Sequence, residues 1–260
     1  MAGVNDWDCT VRSGTRPVVL LHGSWSNSAK TWSTLAGDLR SQGRCVYAPN
    51  YGGDGGRSLA GRIPGVYATA PIPQSSREVG RFVDRVRTAT GAATVDVVGH
   101  SQGGVVGLYY LKHGGSWKVH DLVAIASAFR GVTLRGLSDL VRGLQGAGVD
   151  PLPGASTVLG RVAGDRLAGS PLLRKLNASI AYPRGRITTI SSRADALNHD
   201  VTRTQLPRSP YVDNLVVQDR CAGEQSAHSE LPHSPVVGDM VSAALAARAP
   251  DSVECKPVRR

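Results

Sequence analysis

The residues best able to do covalent chemistry in this chain are Gly99-His100-Ser101-Gln102-Gly103. A serine with glycine two positions away on either side is the pattern of a nucleophile on a tight turn, where larger side chains would collide with the turn itself. With 31 glycines in the chain such a pentad can arise by chance, so its surroundings decide. Thr94-Val95-Asp96-Val97-Val98 before it reads as a strand, and Val105, Val106, Leu108 and Tyr109 after it begin a helix. A serine between strand end and helix start is pushed out into a cleft, beside the positive end of the helix dipole. The chemistry that fits is acyl transfer through a covalent serine intermediate.

That chemistry needs oxyanion donors, a base and an acid. Val18-Val19-Leu20-Leu21 is an apolar strand run that ends in His22-Gly23-Ser24, so the backbone amide of Ser24 is expected to pair with that of Gln102 in an oxyanion hole. The amides do this work, and the two side chains need not be special. His22 is read as structural, because the acid–base histidine of this arrangement comes last in the chain. The acid should follow a strand beyond Ser101. Asp195, just past the run 186–191, is preferred over Asp200, which lies deeper in the next segment; a cap or turn role is the plain alternative for either. Three histidines follow. His199 is too close to the acid to come from a separate loop, and His233 abuts Ser234-Pro235, where a helix opens. His228 is therefore preferred as the base, with Asp195 fixing its tautomer.

The elements that must position these groups are also readable. Six short β-rich runs, 17–21, 44–48, 94–98, 119–125, 186–191 and 211–217, alternate with helix-length segments. This predicts an α/β fold: a mostly parallel six-stranded sheet flanked by helices, in a single domain over residues 1–260. The spacing of Val79, Phe82, Val83 and Val86 predicts a helix over 76–89, with Ser75 and Glu78 as a capping box. A last helix is expected after Ser234-Pro235, burying Val237, Met240, Val241, Ala244 and Leu245. Residues 51–73 read as a long Gly/Pro-rich loop. The stretch 128–183 is longer than a crossover needs and is expected to be a cap- or lid-like insertion, with ordinary packing helices as the alternative.

Composition narrows the class. Hydrophobic residues make up 41% of the chain and charged residues 19%, which excludes a disordered polymer. No apolar run approaches the roughly 20 residues of a membrane span. The formal charge is +10, but the arginines are scattered singly (Arg77, Arg81, Arg85 and others) and not interleaved with aromatics, so no nucleic-acid partner is expected. A weak attraction to anionic interfaces or substrates stays compatible with that charge. Cys9, Cys45, Cys221 and Cys255 have neither C-x-x-C nor metal-ligand spacing. Of the three possible pairings, Cys9 with Cys45 and Cys221 with Cys255 is preferred, because it ties both chain ends to the body; four free thiols are the other reading. Bridges would place the protein in an oxidising compartment. Met1-Ala2-Gly3 begins no apolar leader, which suits a mature chain whose signal peptide has been removed.

With these residues in place, the chain resembles the secreted bacterial class 2 lipases, an esterase–lipase group common in actinobacteria. The likeness rests on Trp7-Asp8-Cys9, Pro17-Val18-Val19-Leu20-Leu21-His22-Gly23, Asn50-Tyr51-Gly52, Val98-Gly99-His100-Ser101-Gln102-Gly103-Gly104, Gly114-Gly115, Gln218-Asp219-Arg220-Cys221 and His228-Ser229-Glu230-Leu231. The resemblance implies an α/β-hydrolase fold and an extracellular triacylglycerol lipase or carboxylesterase with no cofactor and no metal. It implies a triad of Ser101, Asp195 and His228, oxyanion amides at Ser24 and Gln102, and the disulfide pairing preferred above. The expected partner is a small-molecule, lipidic or polymeric ester, with peripheral contact with lipid interfaces and a monomeric state. An acyltransferase or thioesterase could use the same triad. A non-catalytic binding protein on this fold is the reading from another class; the complete triad weighs against it.

Overall fold

Strands rich in valine, leucine and isoleucine and nearly free of charge suit a sheet that is covered on both faces. In the computed structural model, which describes residues 1–132, 159–178, 185–198, 200–248 and 255, all six expected strands form. They are β1 (Val18–Leu21), β2 (Val46–Tyr47), β3 (Val95–His100), β4 (Val119–Ile125), β5 (Ile187–Ser191) and β6 (Val212–Val216). Every pairing is parallel, in the order β2-β1-β3-β4-β5-β6. The chain runs outward from β1 to β2, then returns to lay β3 on the other side of β1. The order reverses there, and the carboxyl ends of β1 and β3 flank the crevice where open α/β sheets bind ligands.

The α-helices among the described residues are α1 (Ser28–Trp32), α2 (Leu35–Ser41), α3 (Ile72–Thr90), α4 (Gln102–Tyr110), α5 (Val162–Arg166), α6 (Pro171–Asn177) and α7 (Pro235–Leu245). Alternating strand residues divide the core in two. Val19, Leu21 and Val97 pack with Val79 and Val83 of α3 and Leu108 of α4, whereas Val18, Leu20 and Val98 pack with Leu39 of α2 and Met240 and Val241 of α7. The fold is that of the α/β-hydrolases. Disulfides join Cys9 to Cys45 and Cys221 to Cys255, the preferred pairing. Among the described residues no helix is long and apolar enough to cross a membrane.

Helix α7 starts as expected: Pro235 occupies its first position and Ser234 Oγ accepts the Val237 N–H. Helix α3 does not. It begins four residues earlier than expected, at Ile72, without a side-chain cap of its own, and Ser75 lies buried inside its first turn. Glu78 instead accepts the N–H of Gly52 at 2.7 Å. The cap comes from far along the chain: Asp165 Oδ2 of α5 accepts the N–H of Ile72 at 2.9 Å. Pro73 fits the first turn because amides there have no intrahelical partner. Of the insertion expected over 128–183, residues 128–132 and 159–178, with helices α5 and α6, are described, while 133–158 and 179–183 lie outside the described residues.

Candidate active site

Ser101 sits between β3 and α4 with φ 53° and ψ −120°, a left-handed conformation that L-residues adopt only under constraint. The glycines make the bend possible. A Cβ on Gly99 would lie 2.3 Å from the Gly104 nitrogen, and one on Gly103 would lie 2.0 Å from the Leu21 carbonyl oxygen. The elbow is locked to the sheet by the Ser101 N–H, which donates to the Ile125 carbonyl of β4 at 2.9 Å.

The expected acid and base meet. His228, in the loop between β6 and α7, faces Asp195, in the turn after β5, with Nδ1 and Oδ2 2.8 Å apart. Asp195 is wholly buried, and its carboxylate also accepts from the Leu197 and Asn198 amides and from Asn198 Nδ2. Burial pushes this carboxyl up, but the His228 contact and the other donors outweigh it and hold Asp195 below the usual carboxylate range. An ionised Asp195 keeps the proton of His228 on Nδ1 and leaves Nε2 as the acceptor. Ser101 and His228 line one cavity of about 480 Å³. No hydrogen bond joins the Ser101 hydroxyl to His228 in this structure.

The other candidates have other work. Asp200 is exposed and caps the short turn Val201–Arg203 by accepting the Thr202 N–H. His233 also lines the cavity, but its Nδ1 contacts Thr34 Oγ1 at 3.1 Å. His199 lies outside the described residues. His22 is structural: its Nδ1–H donates to the Gly23 carbonyl, its ring stacks on Tyr51, and burial lowers its pKa to about 4.

Ser24 lines the cavity, whereas Gln102 is wholly buried at the first position of α4. Their side chains are less idle than the sequence suggests. Ser24 Oγ donates to Gln102 Oε1 and in turn accepts from Arg166 Nη1 of α5. This chain ties the two loops that carry the expected oxyanion amides. His100 was visible only as part of the serine pentad, yet its Nε2–H donates to the carbonyl of His228 at 2.9 Å and so holds the base loop from the nucleophile strand. Burial, then the nearby His228, lowers His100 to about 3, keeping it neutral. Asn198 and Arg166 were not foreseen, because polar residues in loops and insertions carry no periodic signal.

The family model for class 2 lipases matches residues 15–236 of this chain. Triacylglycerol lipases from Pseudarthrobacter phenanthrenivorans and Burkholderia plantarii are each 32% identical to it over 101 residues, or 36% of the chain. The matched stretch spans 27% and 24% of those two relatives. The monoacylglycerol lipase of Paleococcus ferrophilus superposes with a TM-score of 0.56 at 18% identity, covering 90% of this chain and 95% of that one. The propeptide form of a Bacillus licheniformis lipase gives a TM-score of 0.62 at 12% identity, covering 96% and 53%. At such identities the structural likeness speaks for the fold alone.

Proposed function

Since the chain belongs to the class 2 lipase family, we propose that it is a secreted serine hydrolase of carboxylic esters, acting through an acyl-enzyme on Ser101. The observation that carries this reading is the meeting of Ser101 and His228 at one cavity, with the buried Asp195 held against His228 from behind. Ser101 Oγ attacks the ester carbonyl carbon while His228 Nε2 takes its proton, and the carbonyl oxygen becomes an oxyanion between the Ser24 and Gln102 amides. Collapse expels the alcohol, which leaves with the proton from His228. Water then enters by the same route: His228 takes its proton, the hydroxide oxygen bonds to the acyl carbon, and the carboxylic acid departs as Ser101 regains its hydrogen. Contacts between nucleophile and base are commonly long in an empty site and tighten around substrate.

Triacylglycerols or simpler carboxylic esters are the substrates this reading favours, with α5 contributing Arg166 to the wall of the pocket. Two disulfides support an oxidising, extracellular setting. The test is a p-nitrophenyl ester chain-length series on wild type and Ser101→Ala, alongside fluorophosphonate labelling. Wild type should turn over esters and be labelled at Ser101; the variant should lose about 1000-fold or more. Unchanged turnover in the variant would end the mechanism.

A further inference from the structure

Arg166 lines this cavity with a positive charge that no step of ester hydrolysis as described uses. Its side chain is 4% exposed, at the end of a helix fixed on two sides: Asp165 caps α3, and the Val162 N–H donates to the Thr69 carbonyl. A buried guanidinium normally faces a carboxylate, since leaving it unpaired costs several kcal/mol. Among the described residues Arg166 has no such partner; Nη1 donates to Ser24 Oγ, and Tyr51 is its nearest electrostatic relief. Burial lowers its pKa only to about 10, so it stays charged at neutral pH. Among the described residues the cavity walls hold a second cation, Lys30, and neither aspartate nor glutamate. Asp195 lies behind His228 and is committed to three other donors.

From the rigidly mounted guanidinium that meets Ser24 and no carboxylate, and from a cavity wall without an acidic group among the described residues, we infer that this site selects esters carrying an anionic group, a carboxylate or a phosphate, within reach of Arg166. The planar fork of a guanidinium matches both anions with two parallel hydrogen bonds. A positive cavity on a chain of net charge +10 also draws anionic substrates in. The inference rests on the hydrolase reading above and adds the substrate class.

The experiment compares kcat/KM for matched ester pairs on wild type, Arg166→Gln and Arg166→Lys. One pair puts a carboxylate on the acyl side, mono-p-nitrophenyl glutarate against p-nitrophenyl valerate. The other puts a phosphate on the alcohol side, 1-butyrylglycerol 3-phosphate against 1-butyrylglycerol. Wild type should prefer at least one anionic member by about tenfold, the favoured pair identifying the anion; one desolvated charge-assisted contact is worth that much. Arg166→Gln should bring the ratio near one whatever its effect on the neutral ester, and Arg166→Lys should keep part of it. Neutral esters turned over equally well as anionic ones by wild type would overturn the inference while leaving the hydrolase reading intact. So would an anionic preference that survives in Arg166→Gln, or equal losses on both members of a pair, the signature of an oxyanion-hole support. If Arg166→Gln does not fold, the wild-type ratio at low and high salt decides: a preference that shrinks with salt supports it, and no preference at low salt refutes it. Absence of any ester turnover together with no probe labelling at Ser101 would instead sink the hydrolase reading itself.

Discussion

The two ends of the sheet treat buried charge in opposite ways. At the amino ends of the strands, Asp96 of β3 meets Arg44 at 3.5 Å and Arg16 at 3.6 Å, and Asp121 of β4 meets Arg16 at 3.8 Å and His120 at 2.9 Å. The ligand atoms of Asp96, His120 and Asp121 lie within 4.8 Å of one another, and the two arginines supply the countercharge. At the carboxyl ends, Arg166 faces no acid among the described residues, Gln102 Nε2 is buried without a hydrogen-bond partner, and Ser101 holds a conformation that costs about 1–3 kcal/mol. One end sets its charges against opposite ones inside the fold, although Asp96 Oδ1 and His120 Nδ1 make no hydrogen bond there. The other holds a charged guanidinium that, among the described residues, meets a serine hydroxyl and no acid.

If this contrast is right, substitutions at the carboxyl ends change rate far more than stability. His228→Ala and Asp195→Asn should each lower kcat by about 1000- to 10,000-fold on a p-nitrophenyl ester, with thermal melting close to wild type. Normal rates in His228→Ala together with loss in His233→Ala would move the base to the other histidine of the cavity. The opposite balance is expected at the amino ends. Asp96→Ala strands Arg44 in the interior and should cost about 3–5 kcal/mol in urea unfolding, while kcat/KM of the folded protein stays within about threefold. An activity loss without a stability loss would erase the division between the two ends.

Acid should sharpen it. His22 and His100, held neutral by burial, have folded pKa values of about 4 and about 3 against 6.5 when free. Their contribution to stability is whole above pH 6.5 and is lost as pH falls toward those folded values. Asp96 runs the other way: burial and the Asp121 carboxylate push it up to about 6, so its neutral form favours the folded state as pH falls below 6. The two histidines outweigh the one carboxylate. Stability should drop by on the order of 2 kcal/mol between pH 7.5 and 5, read from urea midpoints, and drop further in Asp96→Ala, which lacks the opposing contribution. A flat profile would mean that the two imidazoles are not held neutral.

Much of this was legible in the chain because it is local. The strand runs announce themselves by apolar β-rich composition, and the elbow by two glycines that only a tight turn requires. The start of α3 was misread because its cap is not local: the Ser75–Glu78 pattern is present, but Asp165, 93 residues from Ile72, does the capping and Glu78 holds Gly52 instead. The idle role expected for the Ser24 and Gln102 side chains failed for the same reason, since the arginine that organises them comes from the insertion.

The sequence alone determined which segments are strands and where the strained serine stands, and it put Asp195 and His228 ahead of Asp200 and His233. Those depend on side-chain type and spacing within a few residues. Only the tertiary structure decided that β3 returns beside β1, that His100 grips the carbonyl of His228, and that the Arg166 guanidinium reaches Ser24 with no acid beside it among the described residues. Each of these is set by contacts between residues far apart in the chain, where burial and the lack of a partner exist only once the fold has closed.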